Sequence, residues 1–243
     1  MINKDLEKHV FNHKNEILLK PVGKREDLVI KAVCDASFHQ LSKAVRGEIL
    51  MIGNKENDKI CPIFWKSRSI AKTCKSAKDA ETRALGKCVD DGVYSAKRIE
   101  RMLFGDVKNR IKVIVNTDSE PLIETIGSTK GIENRNLYHE VAGCKESILN
   151  GTVVSYGYIS TKENPADKLT KNSQETKKFI DIFENGRYLH KPRKYVKLVV
   201  RETAREIRTF VDEEVVETDD FHEMNIMNNH YWPMYVWNSE NSG

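Results

Sequence analysis

Apolar residues are spaced along this chain with two alternating periods, and the alternation predicts its elements. Leu28-Val29-Ile30-Lys31-Ala32-Val33-Cys34 is a short β-prone run that ends at Asp35. Glu48 to Ile52, punctuated by Gly53-Asn54, predicts a second strand, and Ile60 to Trp65 a third. Short turn-rich gaps between them suggest an antiparallel meander. The period then changes. Ser76 followed by Asp79 resembles a capping-box start, and Ala80, Ala84, Cys88 and Asp91 recur at helical spacing, so 77–104 reads as helix, either one or two in succession. Ile111 to Thr117 predicts a strand ending at Asp118, Pro121 to Gly127 a short helix, and Asn134 to Leu149 a longer one with Leu137, Val141, Cys144 and Ile148 in register. Thr152 to Ile159 is a fifth strand, and a further helix begins at Asp167 after the Asn164-Pro165 turn.

The order β-β-β-α-β-α-β-α predicts an α/β (α+β) domain, a five-stranded mixed sheet flanked by helices, over residues 28–190. Residues 170–190 read as its helical tail. Residues 1–27, with Leu6, Val10, His13 and Ile17 at helical spacing before Pro21-Val22-Gly23, read as a helix and linker. Beyond 190, Val200, Ala204, Ile207, Val211 and Val215 form one stripe of an expected amphipathic helix within a basic-then-acidic tail, 191–243. The sequence has no internal repeats.

Charge changes this picture in one respect. The chain carries 40 Lys and Arg against 36 Asp and Glu, a net of +4, but residues 209–243 hold eight acids and no Lys or Arg. The body, 1–208, therefore carries +12, which suits a polyanionic partner or serves solubility alone. No run of about 18 apolar residues is present, so no membrane span is expected. The first eight residues are too charged for a signal peptide. Five cysteines without two-residue spacing read as reduced thiols of an intracellular protein, in cytoplasm, virus-like particle or nucleus.

Four carboxylates stand out by position. Asp35 and Asp118 follow strands, Glu81 lies in the first full turn of the helix after the meander, and Asp167 opens the last helix. Strand ends are where open α/β sheets carry ligand-binding groups. Singly, an Asp after a strand is a turn former and a helical Glu is a solvated residue. The joint arrangement carries the weight.

The residues around these acids resemble a known family. Cys34-Asp35-Ala36-Ser37-Phe38, Pro62 through Trp65-Lys66-Ser67, Ala80-Glu81-Thr82-Arg83-Ala84-Leu85, Asn116-Thr117-Asp118-Ser119 and Asn164-Pro165-Ala166-Asp167-Lys168-Leu169-Thr170-Lys171 occur in that order. Together they are similar to the ribonuclease H domain of copia-type (Ty1/copia) LTR retrotransposon polyproteins. Asp167 to Lys171 matches the closing "ADxLTK" signature and Trp65-Lys66-Ser67 the "WKS". Ser128 to Glu146 also follows the family's pattern. The resemblance spans residues 25–190 and implies the same strand and helix order. It implies hydrolysis of the RNA strand of RNA–DNA hybrids with two Mg²⁺ ions, Mn²⁺ able to substitute, and a reverse transcriptase domain as a possible neighbour. On this resemblance Asp35 bridges both ions, Asp167 helps hold the one that activates water, and Glu81 and Asp118 hold the other. Cellular relatives carry a mobile His near the last Asp; here none lies between His139 and His190. No protease, integrase or reverse transcriptase region accompanies the domain, which leaves a gene fragment, a degraded copy or a separate small protein open.

Other candidates are secondary. Lys75, Ser76 and Lys78 are placed to bind a DNA-strand phosphate at a helix start, with an ordinary N-cap and solvated lysines as the alternative. Trp65 reads as sheet packing rather than a base platform, and His39 and Cys34 as bystanders. The alternative function is an inactive ribonuclease H-fold module that holds nucleic acid or a partner. An integrase-type triad orders its acids Asp, Asp, Glu, which this chain does not.

Overall fold

In the computed structural model, β1 (Leu28–Ser37), β2 (Val45–Asn54) and β3 (Ile60–Ser69) form the expected antiparallel meander. The structure describes residues 21–38, 43–55, 57–128, 135–171, 179, 181–188, 192–200 and 205–211. All of them belong to one compact unit, Met1–Glu213. The chain continues through α1 (Ala77–Phe104), β4 (Lys112–Thr117), α2 (Glu120–Gly127), α3 (Arg135–Leu149), β5 (Val153–Tyr158) and α4 (Asp167–Thr170). It then runs through one π-helical turn (Asp181–Asn185), β6 (Lys194–Val200) and β7 (Arg205–Val211). The sheet order is β3-β2-β1-β4-β5-β6-β7, with β1, β4 and β5 parallel and the remaining neighbours antiparallel.

Strand alternation divides the core into two layers. Ile30, Ala32, Cys34, Leu50, Val113, Val115 and Tyr156 point to one face, where they meet Leu85, Cys88, Val89 and Ala96 of α1, Leu122, Ile123 and Ile126 of α2, and Val141, Cys144 and Ile148 of α3. Val33, Ile49, Met51 and Ile60 point to the other, under Ala166 and Leu169 at α4 and Phe179 and Ile182 near the π-helical turn. The sheet is therefore covered on both faces around β1, which allows its near-continuous apolar run. α1 is one helix rather than two. It starts where the Ser76 hydroxyl accepts from the Asp79 N–H at 3.2 Å, and ends at Gly105, whose φ of 78° lets its N–H cap Arg101 O.

Three expectations require correction. The sheet has seven strands among the described residues, not five. The stripe read as a helix over 200–215 is, where described, the β6–β7 hairpin. Ile207 and Val211 fit a helical stripe, but Val196, Leu198 and Ile207 equally fit one face of a hairpin. The open edge of β5 decided between them by supplying a backbone template, pairing Ser155–Tyr158 with Lys194–Lys197, and the hairpin's apolar face packs on the α2–α3 core. Of the expected helical tail over 170–190, the described part holds Thr170 at the end of α4, the helical Phe179 and a single π-helical turn; 172–178, 180, 189 and 190 lie outside the described residues. The expected N-terminal helix and the acidic end from 212 onward lie outside the described residues.

Candidate active site

Asp35 lies within β1 rather than at its end, because the two neighbours of β1 stop at different points. Pairing with β4 ends at Cys34–Thr117, whereas pairing with β2 continues to Ser37–Val45. On the β4 side the sheet therefore opens at Asp35, and Asp118 follows the last residue of β4 beside it. Asp167 is the first residue of α4. The loop that delivers it is tied to β1 by Asn164, whose Nδ2 donates to Cys34 O at 3.0 Å while its Oδ1 accepts from Ala166 N at 3.0 Å. α4 is also held by Ser67 of β3, whose hydroxyl donates to Leu169 O at 2.6 Å.

Gly47 permits this approach. It pairs with Asp35 across β1 and β2, and a Cβ there would lie 2.7 Å from Leu169 Cβ and 2.8 Å from Ala166 O. Only a residue without a side chain lets α4 rest on β2 at that distance.

One carboxylate oxygen each from Asp35, Asp118 and Asp167 lie within 4.8 Å of one another. Asp35 is 3 % exposed and Asp167 8 %, while Asp118 is half-buried. Burial, with Asp118 beside it, pushes the Asp35 carboxyl up from the ordinary 3.8 to about 7, although Thr170 and Lys171 pull the other way. Thr170 donates its hydroxyl to Asp35 Oδ2. Asp118 Oδ1 is buried without a hydrogen-bond partner. Glu81, half-buried on α1, is linked to the group through Ser119 and Asp118. Burial raises its carboxyl above the ordinary range, the Ser119 hydroxyl bonded to it lowers it, and the Asp118 charge raises it further. The acidic end of the sheet thus brings three of the four expected acids within 4.8 Å of one another, and Glu81 lies outside that group but feels the charge of Asp118.

Lys171, the residue after α4, is the cation of the group. Its Nζ lies 2.6 Å from Asp167 Oδ1 and 3.7 Å from Asp35 Oδ2. Burial works against its charge, but Asp167, Asp35 and Asp118 together hold the ammonium above its ordinary range.

Buried oxygens that repel one another and leave one member without a donor suit a hard divalent cation, which takes oxygen ligands and supplies the missing charge. The donor set therefore fits the Mg²⁺ or Mn²⁺ that the resemblance implies.

The secondary candidates fall near this end. Ser76 is the N-cap of α1, and Asp79 reaches back to Lys75 N at 3.0 Å, so the first turn is already capped by side chains. Lys78 Nζ donates to Thr125 Oγ1 at 3.3 Å. Trp65 packs edge-on against Phe183, centroids 4.9 Å apart, and Cys34 is buried. His39 lies outside the described residues. Gly47 is absent from the sequence-based expectations, and Asn164 enters them only as a turn former and motif residue, not as the tie to β1. A glycine inside an apolar strand and an Asn before Pro were the available signals.

No protein-family model matches the chain, and no curated protein does. Among solved structures, it is similar to RNase H1 from the halophilic archaeon Halobacterium salinarum, at 13% identity and a TM-score of 0.44, over 58% of this chain and 92% of that one. The N-terminal RNase H domain of a Mycobacterium tuberculosis protein gives 17% and 0.42, over 58% and 91%. The RNase H domain of prototype foamy virus gives 12% and 0.34, over 67% and 94%.

Proposed function

We propose that this chain is a metal-dependent ribonuclease H that cuts the RNA strand of RNA–DNA hybrids and derives from a copia-type retrotransposon polyprotein. The observation that carries the reading is the convergence of Asp35, Asp118 and Asp167 within 4.8 Å, with Glu81 feeling the charge of Asp118. Carboxylates from β1, from the residue after β4 and from α4 meet there at a cost in mutual repulsion that an ion pair does not incur. Two divalent cations, Mg²⁺ or Mn²⁺, would supply an activated water and neutralise charge on the scissile phosphate when bound. Asp35, central in the group, would hold both; Asp167 would hold one, and Glu81 with Asp118 the other.

Selectivity must come from outside the acids, because such a centre hydrolyses any phosphodiester it can hold. A hybrid offers 2′-hydroxyls on one strand only, in a groove between A-form and B-form. Polar groups beside the acids, such as Thr170 next to Asp35, would read those hydroxyls on the strand to be cut. Lys75, Ser76 and Lys78 at the start of α1 would hold a phosphate of the DNA strand.

Three duplexes of one sequence, each with one labelled strand, test this on a single gel with Mg²⁺ and then with EDTA. The hybrid is cut with Mg²⁺ and spared with EDTA; double-stranded RNA binds but is cut poorly, and double-stranded DNA survives. Comparable cutting of all three overturns the reading. Binding without cutting, with Mg²⁺ or Mn²⁺ present, indicates an inactive nucleic-acid-binding module instead.

A further inference from the structure

Lys171 occupies the carboxylate centre as a cation would. Its ammonium bonds Asp167 Oδ1 at 2.6 Å and lies 3.7 Å from Asp35 Oδ2. Two of the three carboxylates that make up the cluster thus already face a positive charge. The backbone holds it there: Lys171 N–H donates to Asp167 O at 2.9 Å, closing the last turn of α4, and the preceding residue, Thr170, is bonded to Asp35. The side chain is nonetheless 44% exposed, so its four-carbon stem has solvent to move into.

We propose, resting on the metal-dependent reading above, that the Lys171 ammonium is a built-in competitor of the divalent cations, bound to Asp35 and Asp167 in the ion-free protein and displaced when the centre is loaded. A Mg²⁺ ion holds a carboxylate oxygen at about 2.0–2.1 Å. An ammonium hydrogen-bonded to the same oxygen would be a like charge in near contact, so the two compete for Asp167 Oδ1. Loading the centre therefore weakens or breaks the Lys171 ion pairs. The tether therefore lowers the affinity of the centre for divalent ions while relieving the mutual repulsion of Asp35, Asp118 and Asp167 before they arrive. A surface pair between residues four apart, with no other role, would stabilise the short helix slightly and leave ion affinity unchanged.

Calorimetric titration of the full chain with Mn²⁺, free of nucleic acid, tests this without reference to activity. K171Q and K171M are expected to bind Mn²⁺ about tenfold more tightly than the parent, and K171R, which restores the charge, within about twofold of it. Without metal, K171Q should melt lower than the parent, and Mg²⁺ should raise its Tm by more. Equal or weaker Mn²⁺ binding by both uncharged variants overturns the inference and leaves the nuclease reading standing. Absence of saturable Mn²⁺ binding by parent and variants alike overturns both.

Discussion

The two ends of α1 carry carboxylates in opposite conditions. Near its C-terminus, Glu100 is 1% exposed, and its Oε1 accepts from Lys108 N at 2.9 Å and Arg110 N at 2.8 Å, with the Arg110 guanidinium at 3.9 Å. That acid is saturated: it faces donors, and it fixes the loop from Gly105 to β4. Near the N-terminus, Glu81 faces Ser119 but also Asp118, and beyond Asp118 lie Asp35 and Asp167. Those acids face one another, and Asp118 Oδ1 has no donor. Glu100, which serves the fold, faces hydrogen-bond donors, whereas the acids gathered at the other end are left short of them. The partners of these acids distinguish the two ends.

The widest separation between the ends should appear in activity. Asp35→Asn is expected to lower hybrid cleavage at least a hundredfold while leaving the fold intact, since Asn matches Asp in size and removes repulsion. A purified variant that cuts at more than a tenth of the parent rate would show that Asp35 does not hold the ions. Glu100→Ala should do the reverse. It strips two backbone N–H groups of a charged acceptor and should cost about 2–4 kcal/mol in denaturant unfolding, with cleavage by the remaining folded protein near the parent rate. Loss of cleavage without loss of stability would erase the comparison.

A smaller effect concerns pH. Burial pushes Asp35 to about 7, and Glu48, buried beneath α1 beside Arg46 and Asp91, is likewise pushed to about 7, mainly by burial. Both native acids hold their protons where the unfolded chain, with ordinary values near 4, has released them. Metal-free stability should therefore fall as pH rises from about 4 to 7 and level off above. Melting in EDTA across that range checks it: Asp35→Asn and Glu48→Gln should each flatten part of the slope. A profile identical to the parent's for Asp35→Asn would mean that the acids do not strain one another. The smallest effect belongs to the cap. Ser76→Ala should cost about 1 kcal/mol from the lost bond to Asp79 N–H. If Ser76 also touches a phosphate, hybrid affinity should fall in a filter-binding titration at fixed folded fraction. Unchanged affinity would make Ser76 a cap only.

Much of this architecture was legible because its signals are local. The run Leu28 to Cys34, the helical recurrence from Ala80 onward and the strand before Asp118 each fixed an element by period alone, and all three lie where expected. The four acids could be picked out because Asp35 and Asp118 follow apolar β-prone runs, Glu81 and Asp167 fall in the first turns of helices, and the residues around them resemble one family's pattern. The hairpin at 194–211 was misread for a reason that no local window contains. Its apolar residues fit two periods, and the choice was made by the free edge of β5, an element some forty residues earlier.

The sequence by itself determined the order of strands and helices through β5, the positions of the four acids and the basic body of the chain, since these follow from spacing and composition. Tertiary structure decided what spacing cannot express. It set β6 and β7 on the β5 edge, brought α4 against Gly47 closely enough to seat Asp167 by Asp35, and placed the Lys171 ammonium between those two acids. Each of these depends on which distant surfaces meet. A carboxylate's charge state and a lysine's partner are properties of that meeting, because dielectric and distance, rather than residue type, set their energies.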